Sequence, residues 1–169
     1  EWTEIQKDPD RPLLNRYIQG TYPPASIVKM IMEAILLDQT DFDVNMTRHC
    51  SGSYQFGDRI FGCWLAEGHG DVNMTQAMAV SCDIYFYKTI RNCDIDQVYD
   101  MFVSFGFGKK TGIDIPNEVD GLVPNKKYMF NRYGRFGWSK GSLLNIAIGQ
   151  GELLVTPIQV LNYVNLLAT

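Results

Sequence analysis

A serine hydroxyl attacks an amide carbonyl only when a base lies within reach, and on a helix residues i and i+3 share a face. Ser26-Ile27-Val28-Lys29 supplies such a pair. Pro23-Pro24 cannot sit inside a helix, and apolar residues then recur at Ile27, Met30, Ile31, Ile35 and Leu36, so the spacing predicts a helix over 26–37 that opens at the serine. A helix N-terminus would add N–H donors and a positive dipole end beside Ser26, favouring an anionic tetrahedral intermediate and a neutral Lys29 able to accept a proton. Alone, Ser-x-x-Lys equally describes a helix cap followed by a solvated lysine.

A second group of chemistry-bearing residues is Cys50, Cys63, His69 and Cys82, separated by 13, 6 and 13 residues. Gly68-His69-Gly70 would let the imidazole approach a shared centre. Three outcomes stay open: a tetrahedral Cys₃His zinc site, a disulfide among Cys50, Cys63 and Cys82, or free buried thiols. The spacings match no short zinc-finger pattern, and a four-ligand zinc would be structural because no position is left for substrate. His49, beside Cys50, is a substitute ligand or a surface histidine, and Cys93 reads as core. Tyr85-Phe86-Tyr87 reads as core packing, whereas Trp64 and Trp138 could line a groove.

The elements that hold these groups follow from periodicity and caps. With 169 residues, 46% hydrophobic and 20% charged, and no repeat or low-complexity tract, the sequence predicts one domain or part of one. The net charge of −4, with no basic run, excludes a nucleic-acid footprint. No apolar run reaches the roughly 18 residues that cross a bilayer, and Glu1-Trp2-Thr3-Glu4 lacks the pattern of a signal peptide, so any anchor is expected outside this chain. Residues 41–73 read as loop with short strands around 54–61. Asn73 or Thr75 caps a helix through Val80, a second helical stretch covers 84–90, and Asp94 caps a third that Gly106 and Gly108 stop after Phe105. Residues 106–151 are rich in glycine and proline, and Thr156-Pro157 starts a helix running to the end. The chain reads as mainly helical.

Asn15-Arg16 and Tyr22-Pro23-Pro24-Ala25-Ser26-Ile27-Val28-Lys29 resemble the signature of penicillin-binding protein transpeptidases, with Ala25 where glycine is usual. Ser81-Cys82-Asp83 fills the position of that family's second, Ser-x-Asn motif, with aspartate as in some elongation-type members. Lys110-Thr111-Gly112 is not assigned as the third, Lys-Thr-Gly motif, because it lies inside Phe105-Gly106-Phe107-Gly108 through Asp114, Pro116 and Glu118, which resembles a structural segment of the family. Gly149-Gln150-Gly151 and Thr156-Pro157-Ile158-Gln159 resemble another family element. The resemblance runs from Pro12 to Thr169 and is nearest to elongation-type class B enzymes, penicillin-binding protein 2-like.

The resemblance implies an α+β fold of the serine β-lactamase/transpeptidase type on a five-stranded antiparallel sheet. Residues 1–169 would be a partial transpeptidase domain, mainly helical, lacking most of that sheet and the third motif. It implies a peptidoglycan D,D-transpeptidase in which Ser26 is the nucleophile, Lys29 the base, Ser81 the proton relay to the leaving amine, and Asp83 the group that orients Lys29 and the substrate amide. A carboxylate at Asp83 also favours a protonated Lys29. No cofactor is required for that chemistry; a zinc on Cys82 would stiffen the loop that carries Ser81. Implied partners are peptidoglycan stem peptides, β-lactam antibiotics and an elongation machinery with its glycosyltransferase, on the periplasmic side of the bacterial inner membrane. Because the family draws one oxyanion donor from the third-motif strand, the isolated chain is expected to be inactive, a lost donor costing about 10²–10³ in rate. Two alternatives remain: a β-lactam-hydrolysing or -sensing serine relative, and a non-enzymatic, metal-stabilised scaffold in which Ser26 and Lys29 are incidental.

Overall fold

The computed structural model describes every residue except Thr40 and Phe136. Helices α1 (Trp2–Lys7) and α2 (Arg16–Gln19) lead into a 3₁₀ turn, Ala25–Val28, and helix α3 (Lys29–Leu37). Strands β1 (Arg48–Cys50), β2 (Ser53–Phe56), β3 (Arg59–Gly62) and β4 (Gly70–Val72) follow. The rest is helical: α4 (Met74–Ala79), α5 (Asp83–Ile90), α6 (Ile95–Ser104), α7 (Lys126–Tyr133), α8 (Lys140–Ala147) and α9 (Pro157–Ala168). Among the described residues β1 pairs antiparallel with β4, and β2 with β3, giving two small two-stranded sheets. The chain is mainly helical, as expected, and among the described residues no larger sheet forms.

Helix α5 lies at the centre, packed on α3, α8 and β1. Ile84, Tyr85, Phe86, Tyr87 and Ile90 are all buried, as befits a helix apolar on every side. Tyr85 meets Phe86 edge-on at 5.5 Å between ring centroids, and Tyr87 meets Phe61 at the same separation, so the aromatic run is core. No described helix is long and apolar enough to cross a membrane.

The predicted helices over 73–80, 84–90, 94–105 and 156–169 are present within a residue or two, and the strands around 54–61 are the β2–β3 hairpin. Their start signals work as read: Asn73 with Gln76, and Thr156 with Gln159, form capping boxes, and Asp94 accepts from Asp96 N–H. The helix expected to open at Ser26 instead begins with the tighter 3₁₀ turn, α geometry setting in only at Lys29. Helices α7 and α8 lie in the glycine- and proline-rich stretch 106–151, for which no helix is named from the sequence. Asn125 and Ser139 cap them.

Candidate active site

Ser26 is exposed in the 3₁₀ turn, and contacts from the far end of the chain fix that turn. Ala25 N–H donates to Gly149 C=O at 2.9 Å, Tyr22 and Val155 exchange two backbone hydrogen bonds of 2.9 Å, and the buried Tyr163 hydroxyl donates to Ile27 C=O at 3.2 Å. A Cβ added to Gly149, at φ +71°, would lie 2.1 Å from Ala25 C=O, so only glycine allows this approach. Ala25 itself stands at φ +55°, which accounts for glycine being the usual residue in the motif it resembles. The Tyr163 contact was not readable in advance, since it ties residues 136 positions apart through a backbone carbonyl.

One turn beyond Ser26, Lys29 is buried, 1% exposed, with its Nζ donating to Ser81 C=O at 2.8 Å, Ser81 Oγ at 3.0 Å and Asp83 Oδ1 at 2.6 Å. Three acceptors meet the three N–H groups of an ammonium. Two helix ends create this arrangement. Ser81 N–H donates to Met78 C=O and Cys82 N–H to Ala77 C=O, the paired closure of a Schellman motif at the C-terminus of α4. Ser81 occupies the left-handed position of that closure, at φ +51°, where glycine is usual. Cys82 then caps α5, which puts Asp83 in the first turn of α5. Asp83 Oδ2 accepts the backbone N–H of Trp64 at 3.2 Å. A buried ion pair is tolerated when the remaining lone pairs are also satisfied, and Asp83 meets that condition. The structure thus brings Lys29, Ser81 and Asp83 together, one turn from an exposed serine hydroxyl.

Cys50, Cys63, His69 and Cys82 also converge, their ligand atoms all within 4.8 Å of one another. His69 Nδ1 lies 3.6 Å from both Cys50 Sγ and Cys63 Sγ. A tetrahedral zinc with Zn–S of about 2.3 Å and Zn–N of about 2.05 Å sets that S···N edge at roughly 3.5 Å. The residues therefore fit zinc in kind and number, and these two S···N edges match its tetrahedral spacing. Gly68 makes this possible: at φ +81° it passes so close to Cys50 that a Cβ would lie 2.2 Å from the Cys50 carbonyl. Burial opposes ionisation of Cys50, but N–H donors from Gly52 and His69, the His69 ring and the Cys82 thiol bring its pKa down to about 7. Burial, then Cys50 and Cys63, push Cys82 up to about 12. Cys82 thus resists carrying negative charge beside the other two sulfurs. None of the four cysteines is disulfide-bonded.

Other candidates fall elsewhere. The His49 side chain is 64% exposed and pairs with Asp71 at 2.8 Å, outside the cluster. Cys93 is buried and accepts from Gln39 Nε2 at 3.2 Å. Trp138 lines a pocket with Lys126, Phe130, Ser139 and Lys140 that includes none of Ser26, Lys29, Ser81 or Asp83. In Lys110-Thr111-Gly112, the Thr111 hydroxyl and the N–H groups of Thr111 and Gly112 donate to the buried Glu118 carboxylate.

Residues 3–169 match the penicillin binding protein transpeptidase domain. Peptidoglycan D,D-transpeptidase MrdA of Acinetobacter baumannii is 37% identical over 166 residues, which are 94% of this chain and 24% of that protein. The penicillin-binding protein PBP2 of Helicobacter pylori superposes with a TM-score of 0.93 at 39% identity, over 99% of this chain and 32% of the other. That Helicobacter protein in complex with MreC matches equally well. The chain spans about a quarter of the length of the curated relatives it matches. With the serine–lysine turn and its serine–aspartate partner in place, and with these matches along nearly all of its length, the chain belongs to the penicillin-binding protein transpeptidase family.

Proposed function

We propose that the protein containing this chain is a peptidoglycan D,D-transpeptidase of cell elongation that works through a serine acyl-enzyme. Ser26 Oγ attacks the carbonyl of the penultimate D-alanine of a donor stem peptide. The Lys29–Asp83 pair must first release one proton; Lys29 then takes the proton of Ser26, and Ser81 passes it to the amine of the departing terminal D-alanine. An amine of a second stem peptide attacks the resulting ester, forms the cross-link and frees Ser26. Asp83 holds Lys29 in place and shapes the site for the substrate amide. The observation that carries this reading is the convergence of Lys29 Nζ on Ser81 Oγ and Asp83 Oδ1, one turn after an exposed serine.

β-Lactams would acylate Ser26 by the same attack. The Helicobacter pylori relative solved in complex with MreC supports an elongation-machinery partner of that kind; a glycosyltransferase partner and a place on the periplasmic face of the inner membrane, with the anchor outside these residues, follow from the family resemblance. Residues 1–169 form part of the transpeptidase domain, and the third motif and its oxyanion donor belong to the remainder of the parent, so the isolated chain would not turn over. The Cys50, Cys63, His69 and Cys82 cluster would hold a structural zinc, which supplies no step of the reaction. The test is covalent labelling of the full-length parent with fluorescent penicillin. Wild type should take one label and keep it for hours, and Ser26→Ala should take none. Label retained by Ser26→Ala would remove the mechanism, and rapid release from wild type would make the protein a β-lactam hydrolase instead.

A further inference from the structure

Val80 closes α4, and its carbonyl is among the last four of that helix, which have no partner inside it. The indole Nε1–H of Trp64 donates to this carbonyl at 3.0 Å. On the opposite edge of the same peptide plane, Ser81 N–H donates to Met78 C=O at 3.1 Å. The peptide that leads into Ser81 is therefore held on both edges. It needs holding, because Ser81 stands at φ +51°, where a side chain with a Cβ is disfavoured. The backbone N–H of Trp64 donates at the same time to Asp83 Oδ2, while Oδ1 of that carboxylate receives Lys29. Trp64 thus grips the Ser81-Cys82-Asp83 segment at both ends from outside.

Burial does not explain where the indole sits, since Trp64 is 64% exposed. The indole meets the His69 ring in an edge-type contact, with centroids 5.3 Å apart, which restricts its rotation about the side-chain bonds. Release of the Val80–Ser81 peptide would let the Ser81 Cα shift away from Lys29, and both Ser81 acceptors on Lys29 Nζ, the carbonyl and Oγ, are carried by that Cα. We infer that Trp64 is a positioning residue for acylation: its indole latches the Val80–Ser81 peptide so that both Ser81 oxygens stay on Lys29. The inference rests on the reading of Ser26, Lys29 and Ser81 as the acylation machinery.

The experiment uses the full-length parent and a fluorescent penicillin, with stopped-flow kinetics that separate the dissociation constant of the initial complex from the acylation rate constant. Trp64→Phe keeps a ring beside His69 and the backbone N–H on Asp83, and deletes the indole donor. The acylation rate constant should fall about five- to tenfold, the scale of one lost hydrogen bond, with the dissociation constant little changed. Benzothienylalanine at position 64, which has the shape of tryptophan with sulfur in place of the N–H, should give the same fall, and it decides the matter alone if Trp64→Phe does not fold. An unchanged acylation rate in the isostere overturns the latch. So does a loss carried wholly by the dissociation constant, which would make Trp64 a wall of the ligand site. A wild-type parent that takes no label at Ser26 overturns the acylation reading itself, and the latch with it.

Discussion

Ala25 and Ser81 both hold left-handed backbone conformations, φ +55° and +51°, and each borders or belongs to the candidate catalytic group. Strain of this kind persists only where the surroundings dictate it, and it gathers at functional sites. At position 81 the cost is tied to chemistry, because glycine would relax the backbone but remove the hydroxyl that meets Lys29. Ala25 offers its neighbours only its backbone, as the donor to Gly149, so glycine there should relieve the conformation at no cost to the site. The left-handed penalty is about 1 kcal/mol, offset in part by the greater freedom of glycine in the unfolded chain. Ala25→Gly in the parent should therefore raise the melting temperature of the transpeptidase domain by about 1–4 °C, with penicillin labelling of Ser26 retained. A lower melting temperature would mean that the alanine methyl contributes packing that outweighs the strain.

The same balance of local signal against tertiary demand decides which elements were legible. Helix α6 has one apolar face, with Ile95, Val98 and Phe102 buried, and a clear cap, and its sequence shows both. Helix α8 gathers Leu143, Leu144, Ile146 and Ala147 on one face, but it is only eight residues long and opens on Lys140-Gly141-Ser142, so its apolar period is too short to stand out in a glycine-rich stretch. The β1–β4 pair is three residues long on each side, too short for an alternating pattern to show. Ser26, Lys29, Ser81, Asp83 and Gly149 were legible as residues in known motifs, but Trp64 and Tyr163 bond backbone carbonyls far along the chain, and such contacts leave no side-chain pattern. The segment after α6 is held by Glu118, which binds Thr111 and Gly112. Burial would raise the pKa of Glu118, but the Thr111 hydroxyl, the backbone N–H groups of Thr111 and Gly112, and Lys110 outweigh it and hold the carboxyl below the usual carboxylate range. A depressed folded-state pKa contributes stability that is fully present above the unfolded value and is lost as pH falls through the folded one. Glu118→Gln should cost about 1–2 kcal/mol in urea unfolding at pH 7 and at pH 5.5, a gap that narrows below about pH 4.5. A gap independent of pH would mean that the charge of the carboxylate plays no part.

Across the whole molecule, the cysteine–histidine cluster ties four separate segments to one point. Cys50 ends β1, Cys63 follows β3, His69 precedes β4, and Cys82 caps α5 between Ser81 and Asp83. The two sheets it connects are only three and four residues long per strand, and such short pairs are marginal without help. A metal bound only by the folded arrangement contributes its binding energy to folding, so its loss should be felt in stability first. The parent purified without chelator should carry close to one zinc per chain by elemental analysis, and Cys63→Ser and His69→Ala should each lower that content. Stripping the metal with a chelator should lower the melting temperature by several degrees, since even 100-fold saturation of a site is worth roughly 2.7 kcal/mol. Penicillin labelling should slow as well, because Ser81 and Asp83 flank Cys82, and zinc added back should restore both properties. Wild-type protein that is free of metal as purified, and whose melting temperature is unmoved by chelator and by added zinc alike, would reduce the cluster to three buried or half-buried thiols beside an imidazole.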